Sequence, residues 1–265
     1  MKKTLVIAGL IIAAVASAQF YGYPNQPIPG QARIATSAAA AGVRVDQRLN
    51  DFIPLDTTFT NDRGEKIELR QIFAAGRPVV IAPIFYNCPG ICTDELNNLV
   101  RTFRGFKKDD IGTTFDFIAL SIDHEETPAM AAAKKETFMD FYYREGTEKG
   151  WHFLTGDEKS IRRVTDALGF QFTRDPANGA IVHPAGVMVV SPQGKIIRYF
   201  LSTEYPARVM LDSIRDAKQE VVGIRDDRPF YLSCINIDPL TGQKSLNILN
   251  TLKTLGVVTM ICLFG

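Results

Sequence analysis

Two thiols and one imidazole are the groups in this chain whose spacing points most directly to chemistry. The segment Phe85-Tyr86-Asn87-Cys88-Pro89-Gly90-Ile91-Cys92-Thr93-Asp94-Glu95-Leu96 sets Cys88 and Cys92 four positions apart, between an apolar run and an amphipathic stretch. With a strand before them and a helix after, both fall on the first helical turn. There the unpaired backbone N–H groups and the helix dipole favour a thiolate and lower its pKa. Two converging thiolates make a soft-metal site. A C-x-x-C pair keeps its second sulfur shielded for disulfide exchange, whereas the extra residue in C-x-x-x-C lets both sulfurs splay outward to share one ion. The spacing equally permits a structural disulfide, so the pair alone leaves both uses open.

Only three histidines can supply a third ligand. His183 lies in GAIVHPAG (179–186), immediately ahead of an apolar run. Two thiolates and this imidazole would bind Cu(I) or Cu(II), the softness of sulfur selecting copper, although zinc accepts the same ligand types. His124, in SIDHEETP (121–128), follows a second apolar run and reads as an exposed loop residue. His152, after Trp151 in a short apolar run, reads as a partly buried, hydrogen-bonded core histidine. Asp123 either orients the site or caps the next helix.

These groups meet only if the fold gathers them. The run RPVVIAPIFYN (77–87) is apolar throughout, as expected of a strand buried on both faces. Leu96, Leu99, Val100 and Phe103 then recur at the helical period within 93–106. A second strand (114–123) and a helix (127–143) opening on Pro128 complete a strand-helix-strand-helix unit, which implies a parallel sheet with right-handed crossovers. A short strand (150–157) and a helix (158–168) ended by Gly169 follow. Two strands (186–192 and 195–201) joined by Ser191-Pro192-Gln193-Gly194, and a helix over 206–223, close the domain. An Asn61-Asp62-Arg63-Gly64 turn marks a small hairpin over 59–69. A parallel half followed by an antiparallel hairpin and a closing helix is the thioredoxin-type α/β arrangement. In that fold the segment bearing His183 returns beside the cysteine loop.

The ends of the chain set its compartment. Lys2 and Lys3, an apolar run from Leu5 to Val15 and then Ala16-Ser17-Ala18 form a signal peptide (1–18) cut after Ala18, too short to span a bilayer. Export to an oxidising compartment raises the disulfide reading of any cysteine pair. Residues 19–50, rich in Pro, Gly, Ala and Ser, read as a flexible lead-in with some edge structure. The domain proper runs over 51–223, with an extension over 224–245. The apolar segment 246–265 is a candidate membrane anchor. Lys253 near its middle opposes insertion by about 2.5–3.5 kcal/mol, leaving a packed or interfacial helix as the alternative. With 30 basic and 29 acidic residues the chain carries a net charge of +1, so no nucleic-acid partner is expected.

The chain resembles the Sco/SenC copper proteins that serve cytochrome c oxidase assembly. The resemblance spans about residues 50–220 and rests on FYNCPGICT (85–93), SIDHEETP (121–128), His183 ahead of a strand, and SPQG (191–194) in the hairpin. His124 stands where the family has proline, and Val182 where many relatives have aspartate. The resemblance implies that Cys88, Cys92 and His183 are the copper ligands, that Asp123 is the acidic group near them, and that Cys88 and Cys92 are redox-active. It further implies a copper-site subunit of a terminal oxidase as partner, a periplasmic-side location, and a C-terminal helix in the membrane. Cys234, in the extension, and Cys262 are assigned no function.

Three activities follow. The first is a copper metallochaperone, which is not an enzyme; the second is a thiol–disulfide oxidoreductase that reduces the cysteines of a copper-site partner. The third, a peroxidase of the same fold, needs an arginine and threonine activating one thiolate, and no such signature surrounds Cys88.

Overall fold

The computed structural model describes residues 41–88, 91–177 and 179–226, and at Ile91 and Cys92 the helical backbone alone. The expected signal peptide, the lead-in up to residue 40, Cys234, Cys262 and the segment 246–265 lie outside the described residues. Among the described residues no helix is long and apolar enough to cross a membrane.

In chain order the elements are β1 (Arg44–Val45), β2 (Thr58–Thr60), β3 (Lys66–Glu68), α1 (Leu69–Phe73), β4 (Val79–Ile84), α2 (Ile91–Arg104), β5 (Asp116–Ser121), α3 (Pro128–Tyr142), β6 (Trp151–Leu154), α4 (Glu158–Ala167), β7 (Phe170–Gln171), β8 (Thr173–Arg174), β9 (Ile181–Val182), β10 (Val187–Val190), β11 (Ile196–Phe200) and α5 (Ala207–Lys218). The long apolar runs build one five-stranded sheet in the order β11-β10-β4-β5-β6. β4, β5 and β6 are parallel, while β10 runs antiparallel to both β4 and β11.

Alternate side chains serve opposite faces of a strand. Val80, Ala82 and Ile84 of β4, with Phe117 and Ala119 of β5, pack under Leu96, Leu99 and Phe103 of α2, Phe138 of α3 and Met210 and Ile214 of α5. Val79 and Ile81, with Ile118 and Leu120, face Leu69 and Ile72 of α1, Ile161 and Val164 of α4, and Phe59 of β2. Both faces are covered, which is why these strands read as unbroken apolar runs. The mixed sheet flanked by helices is the thioredoxin-like arrangement expected from the sequence.

The pairing of β10 with β4 aims the site. Val79, Val80 and Ile81 face Val190, Val189 and Met188, and the ladder stops there. Pro83, lacking an N–H, lies beyond the last pair, where its missing donor leaves no hole in the ladder. Because β10 is antiparallel, the residues that precede it lie at the carboxyl end of β4. The cysteine loop leaves β4 at that same end.

The fold departs from the sequence reading at three places. Part of the lead-in belongs to the domain: Arg44 and Val45 pair with Gln171 and Phe170, and Asn50 donates its N–H to the Ile196 carbonyl at 2.9 Å. At Gly169, φ is +63° and the Asp46 carbonyl oxygen would lie 1.9 Å from any Cβ, so the α4 stop also seats this segment. The closing helix ends at Lys218 rather than 223. Glu220 takes a left-handed φ of 56°, and Gly223 donates its N–H to the Ile197 carbonyl at 2.9 Å, which carries the chain back to β11. Finally, β8 and β9 form a small antiparallel hairpin just before His183 that no periodicity announced.

Phe103 holds α2 on the sheet, fully buried with ring centroids 5.1–5.9 Å from Phe106, Phe115 and Phe117. Phe103→Ala should lower unfolding free energy by about 3–5 kcal/mol in denaturant titration; a change below about 1 kcal/mol would show that the helix is anchored elsewhere.

Candidate metal centre

The loop from β4 to α2 is fixed before it reaches its first cysteine. Tyr86 is buried, and its hydroxyl lies 2.9 and 2.8 Å from the carbonyl oxygens of Ala119 and Leu154, so it reaches across the two neighbouring strands. The Asn87 N–H donates to Oε1 of buried Glu126 at 2.7 Å, and Oε2 of the same carboxyl accepts from the Ser121 hydroxyl at 2.6 Å. Burial pushes the Glu126 carboxyl above its ordinary pKa, opposed by these hydrogen bonds. Glu126 therefore clips the cysteine loop to the end of β5. Cys88, 4% exposed, sits next along the chain, and its carbonyl accepts from the Thr93 hydroxyl at 3.4 Å. Cys92 is the second residue of α2, on its first turn, whereas Cys88 lies three residues ahead of the helix, in the loop rather than on that turn as the sequence suggested.

His183 comes from the other side, four residues ahead of β10. Its ring is fully buried, edge-on to Phe85 at 5.6 Å and 6.1 Å from Phe170. Phe85 opens the cysteine loop, so this contact joins the two halves of the site. Nδ1 lies 2.9 Å from the Pro184 carbonyl oxygen, which can only accept. The network therefore assigns the proton to Nδ1 and the lone pair to Nε2. Burial lowers the ring's pKa to about 4, opposed by the negative charge available at Cys88 and by the Pro184 carbonyl. A neutral imidazole coupled electrostatically to a buried cysteine is a donor set suited to a soft or borderline metal ion.

The remaining sequence candidates fall at different distances from this point. Asp123 forms an ion pair with Arg174 of β8 and accepts the Glu125 N–H at 3.0 Å. Arg174 pairs in register with Ile181, so the carboxylate braces the hairpin that leads into His183. The alternative helix-cap role belongs instead to Thr127, whose hydroxyl accepts from the Met130 N–H. His124 is exposed, as read. His152 is largely shielded within β6 and depressed to about 4 by burial. Its Nε2 has no hydrogen-bond partner among the described residues, so His152 is partly buried, as expected, but the expected hydrogen bond is not made at that nitrogen.

Two acids were missed. Glu126 is hidden in a polar loop, with nothing in the sequence to say that it is buried. Glu95 did carry a signal, standing four residues before Leu99 and eight before Phe103 on the apolar stripe of α2. Burial pushes its carboxyl up to about 8; hydrogen bonds from Gly186 and Tyr205 oppose the shift and the Cys88 charge adds to it. Among the described residues no three Cys, His, Asp or Glu side chains form a metal-holding group. The side chain of Cys92 lies outside them.

A parallel βαβ half and an antiparallel hairpin define a thioredoxin-like domain, with Cys88 and His183 as a candidate thiol–imidazole pair at the carboxyl end of its sheet. The family model described as SCO1/SenC matches residues 46–219, and the chain belongs to that family. No curated protein matches the sequence. Among solved structures, a candidate electron-transfer protein of Aquifex aeolicus VF5 is similar at 22% identity and a TM-score of 0.55, over 65% of this chain and 95% of that one. BsSco, described as a member of the Sco family of cytochrome c oxidase assembly proteins with a disulfide switch, is 20% identical with a TM-score of 0.51. That match covers 66% of this chain and 98% of BsSco. Arabidopsis thaliana ScoI with copper bound is 17% identical with a TM-score of 0.50, over 62% and 96% of the two chains. At these identities the likenesses speak for the fold.

The His183 environment sets a pH dependence. An unfolded histidine titrates near 6.5, whereas the folded ring titrates at about 4. Between these values the unfolded chain binds a proton that the fold refuses. The contribution is therefore intact above pH 6.5 and weakens as pH falls towards 4. NMR titration of the His183 ring should give a midpoint near 4, and a midpoint near 6.5 would contradict its burial.

Proposed function

We propose that this chain is an exported, membrane-tethered copper carrier that takes up one copper ion on Cys88, Cys92 and His183 and delivers it to the copper-site subunit of a terminal cytochrome c oxidase. The observation that carries the reading is the buried, neutral His183 ring seated on Phe85 and coupled to Cys88, since a structural disulfide would need no imidazole there. The copper-bound Arabidopsis relative and the assembly role stated for BsSco support the choice of cargo and recipient.

On uptake each thiol loses its proton to solvent, and the two thiolates and the His183 Nε2 lone pair are the donors. Loading therefore strengthens as pH rises through the thiol pKa values. The apolar walls supplied by Phe85 and Phe170 keep water from competing for the ion. Transfer is then exchange of these three donors for those of the recipient. Asp123 and Arg174 hold the histidine hairpin, and Glu126 the cysteine loop, while the ligands exchange.

A second reading, thiol–disulfide exchange with the partner's cysteines, is favoured by the placement of Cys92 on the first turn of α2, with Cys88 in the loop just ahead of it, and by the disulfide switch described for BsSco. In that reaction the Cys88–Cys92 dithiol becomes a disulfide as a partner disulfide becomes a dithiol. His183 has no necessary part in it.

The reduced protein should bind about one equivalent of copper and show thiolate-to-copper charge transfer in its electronic spectrum. Cys88→Ser, Cys92→Ser and His183→Ala should each sharply reduce loading. Loading unchanged in His183→Ala, with exchange kinetics also unchanged, would reject the three-ligand site in favour of the redox reading. Export is supported by Lys2-Lys3, the Leu5–Val15 run and Ala16-Ser17-Ala18. Edman sequencing of the mature protein should begin at Gln19, whereas a chain retaining Met1 would contradict cleavage.

A further inference from the structure

We propose that Glu95 is a positioning residue of this site, its buried carboxyl acting as the strut that holds the His183 segment against the cysteine helix. The proposal rests on the copper-binding reading above. Glu95 is fully buried on α2, three residues after Cys92 and so on the same side of the helix one turn further in. Its Oε1 accepts the Gly186 N–H at 3.0 Å and the Tyr205 hydroxyl at 3.1 Å. Gly186 is three residues past His183 and the last residue before β10, while Tyr205 lies just ahead of α5. A single oxygen thus joins the helix that carries Cys92, the segment that carries the histidine, and the lead into the closing helix.

The position makes no sense as ordinary core. An apolar side chain of the same length would fill it without burying a carboxyl whose second oxygen, Oε2, has no hydrogen-bond partner among the described residues. What the acid supplies is the acceptor for Gly186, where β10 has already parted from β4 and its last ladder pair with β11, Val187 with Phe200, lies one residue on. Among the described residues Glu95, Cys88 and His183 do not form a metal-holding group, and the role proposed for Glu95 is one of position. Its effect on the metal passes through the placement of His183 relative to Cys88, the residue whose charge the carboxyl also feels.

The test compares the full chain with Glu95→Gln, Glu95→Met and Tyr205→Phe. Two readouts are used: hydrogen exchange of the Gly186 amide in the metal-free protein, and the thiolate-to-copper band with retention of copper against a competing chelator. Glu95→Gln keeps an acceptor oxygen and should match the wild type in both. Glu95→Met keeps the length and loses the acceptor. Exchange at Gly186 should then rise roughly tenfold or more, the band should shift or weaken, and copper should be lost to lower chelator concentrations. Tyr205→Phe removes one of the two bonds and should move the copper readouts in the same direction by less; it decides the matter if Glu95→Met does not fold. Wild-type exchange, band and retention in Glu95→Met would overturn the positioning role and leave the copper reading standing. A wild-type protein without the band would overturn both.

Discussion

Everything at the functional end of this domain depends on β10 running antiparallel to β4. A parallel strand in the same place would leave the residues before it at the amino end of the sheet, a full strand length from the cysteine loop. The antiparallel ladder of Val79, Val80 and Ile81 with Val190, Val189 and Met188 instead returns residues 183–186 to the carboxyl end of β4. Pro83 limits the ladder to that length, since it has no N–H to extend it. The opening beyond the ladder is where an imidazole from one segment and a thiol from another can meet.

Because the β4–β10 ladder ends early, side-chain acids join the strand pairs in holding these segments. Glu126 fixes the loop at Asn87, Glu95 fixes the far segment at Gly186, and Asp123 braces the β8–β9 hairpin through Arg174. The first two are buried, and in both cases burial pushes the carboxyl pKa upward. Burying such groups opposes folding unless their hydrogen bonds are made. Their concentration around Cys88 and His183 marks where stability has been exchanged for a defined geometry.

The parts of the structure that were legible in the sequence are those with a period. The runs 79–84 and 116–121 are apolar at every position because both sheet faces are covered, and α2 shows its stripe at Leu96, Leu99, Val100 and Phe103. Cys88, Cys92 and His183 were visible as rare residue types at element ends. The β1–β7 and β8–β9 pairs were invisible, since strands of two residues have no alternation to detect. Glu126 was hidden for a related reason: its burial is a property of a loop folded over Ser121, and nothing local marks it. Glu95 broke the apolar stripe of a well-marked helix, and that break was the signal.

The central claim is that two sulfurs and one imidazole share a single copper ion. X-ray absorption spectroscopy of the copper-loaded reduced protein addresses it most directly. The account predicts two sulfur neighbours together with the outer-shell scattering of one histidine ring, and loss of that ring's scattering in His183→Ala. A copper environment made of sulfur alone, or of nitrogen and oxygen without sulfur, would contradict it.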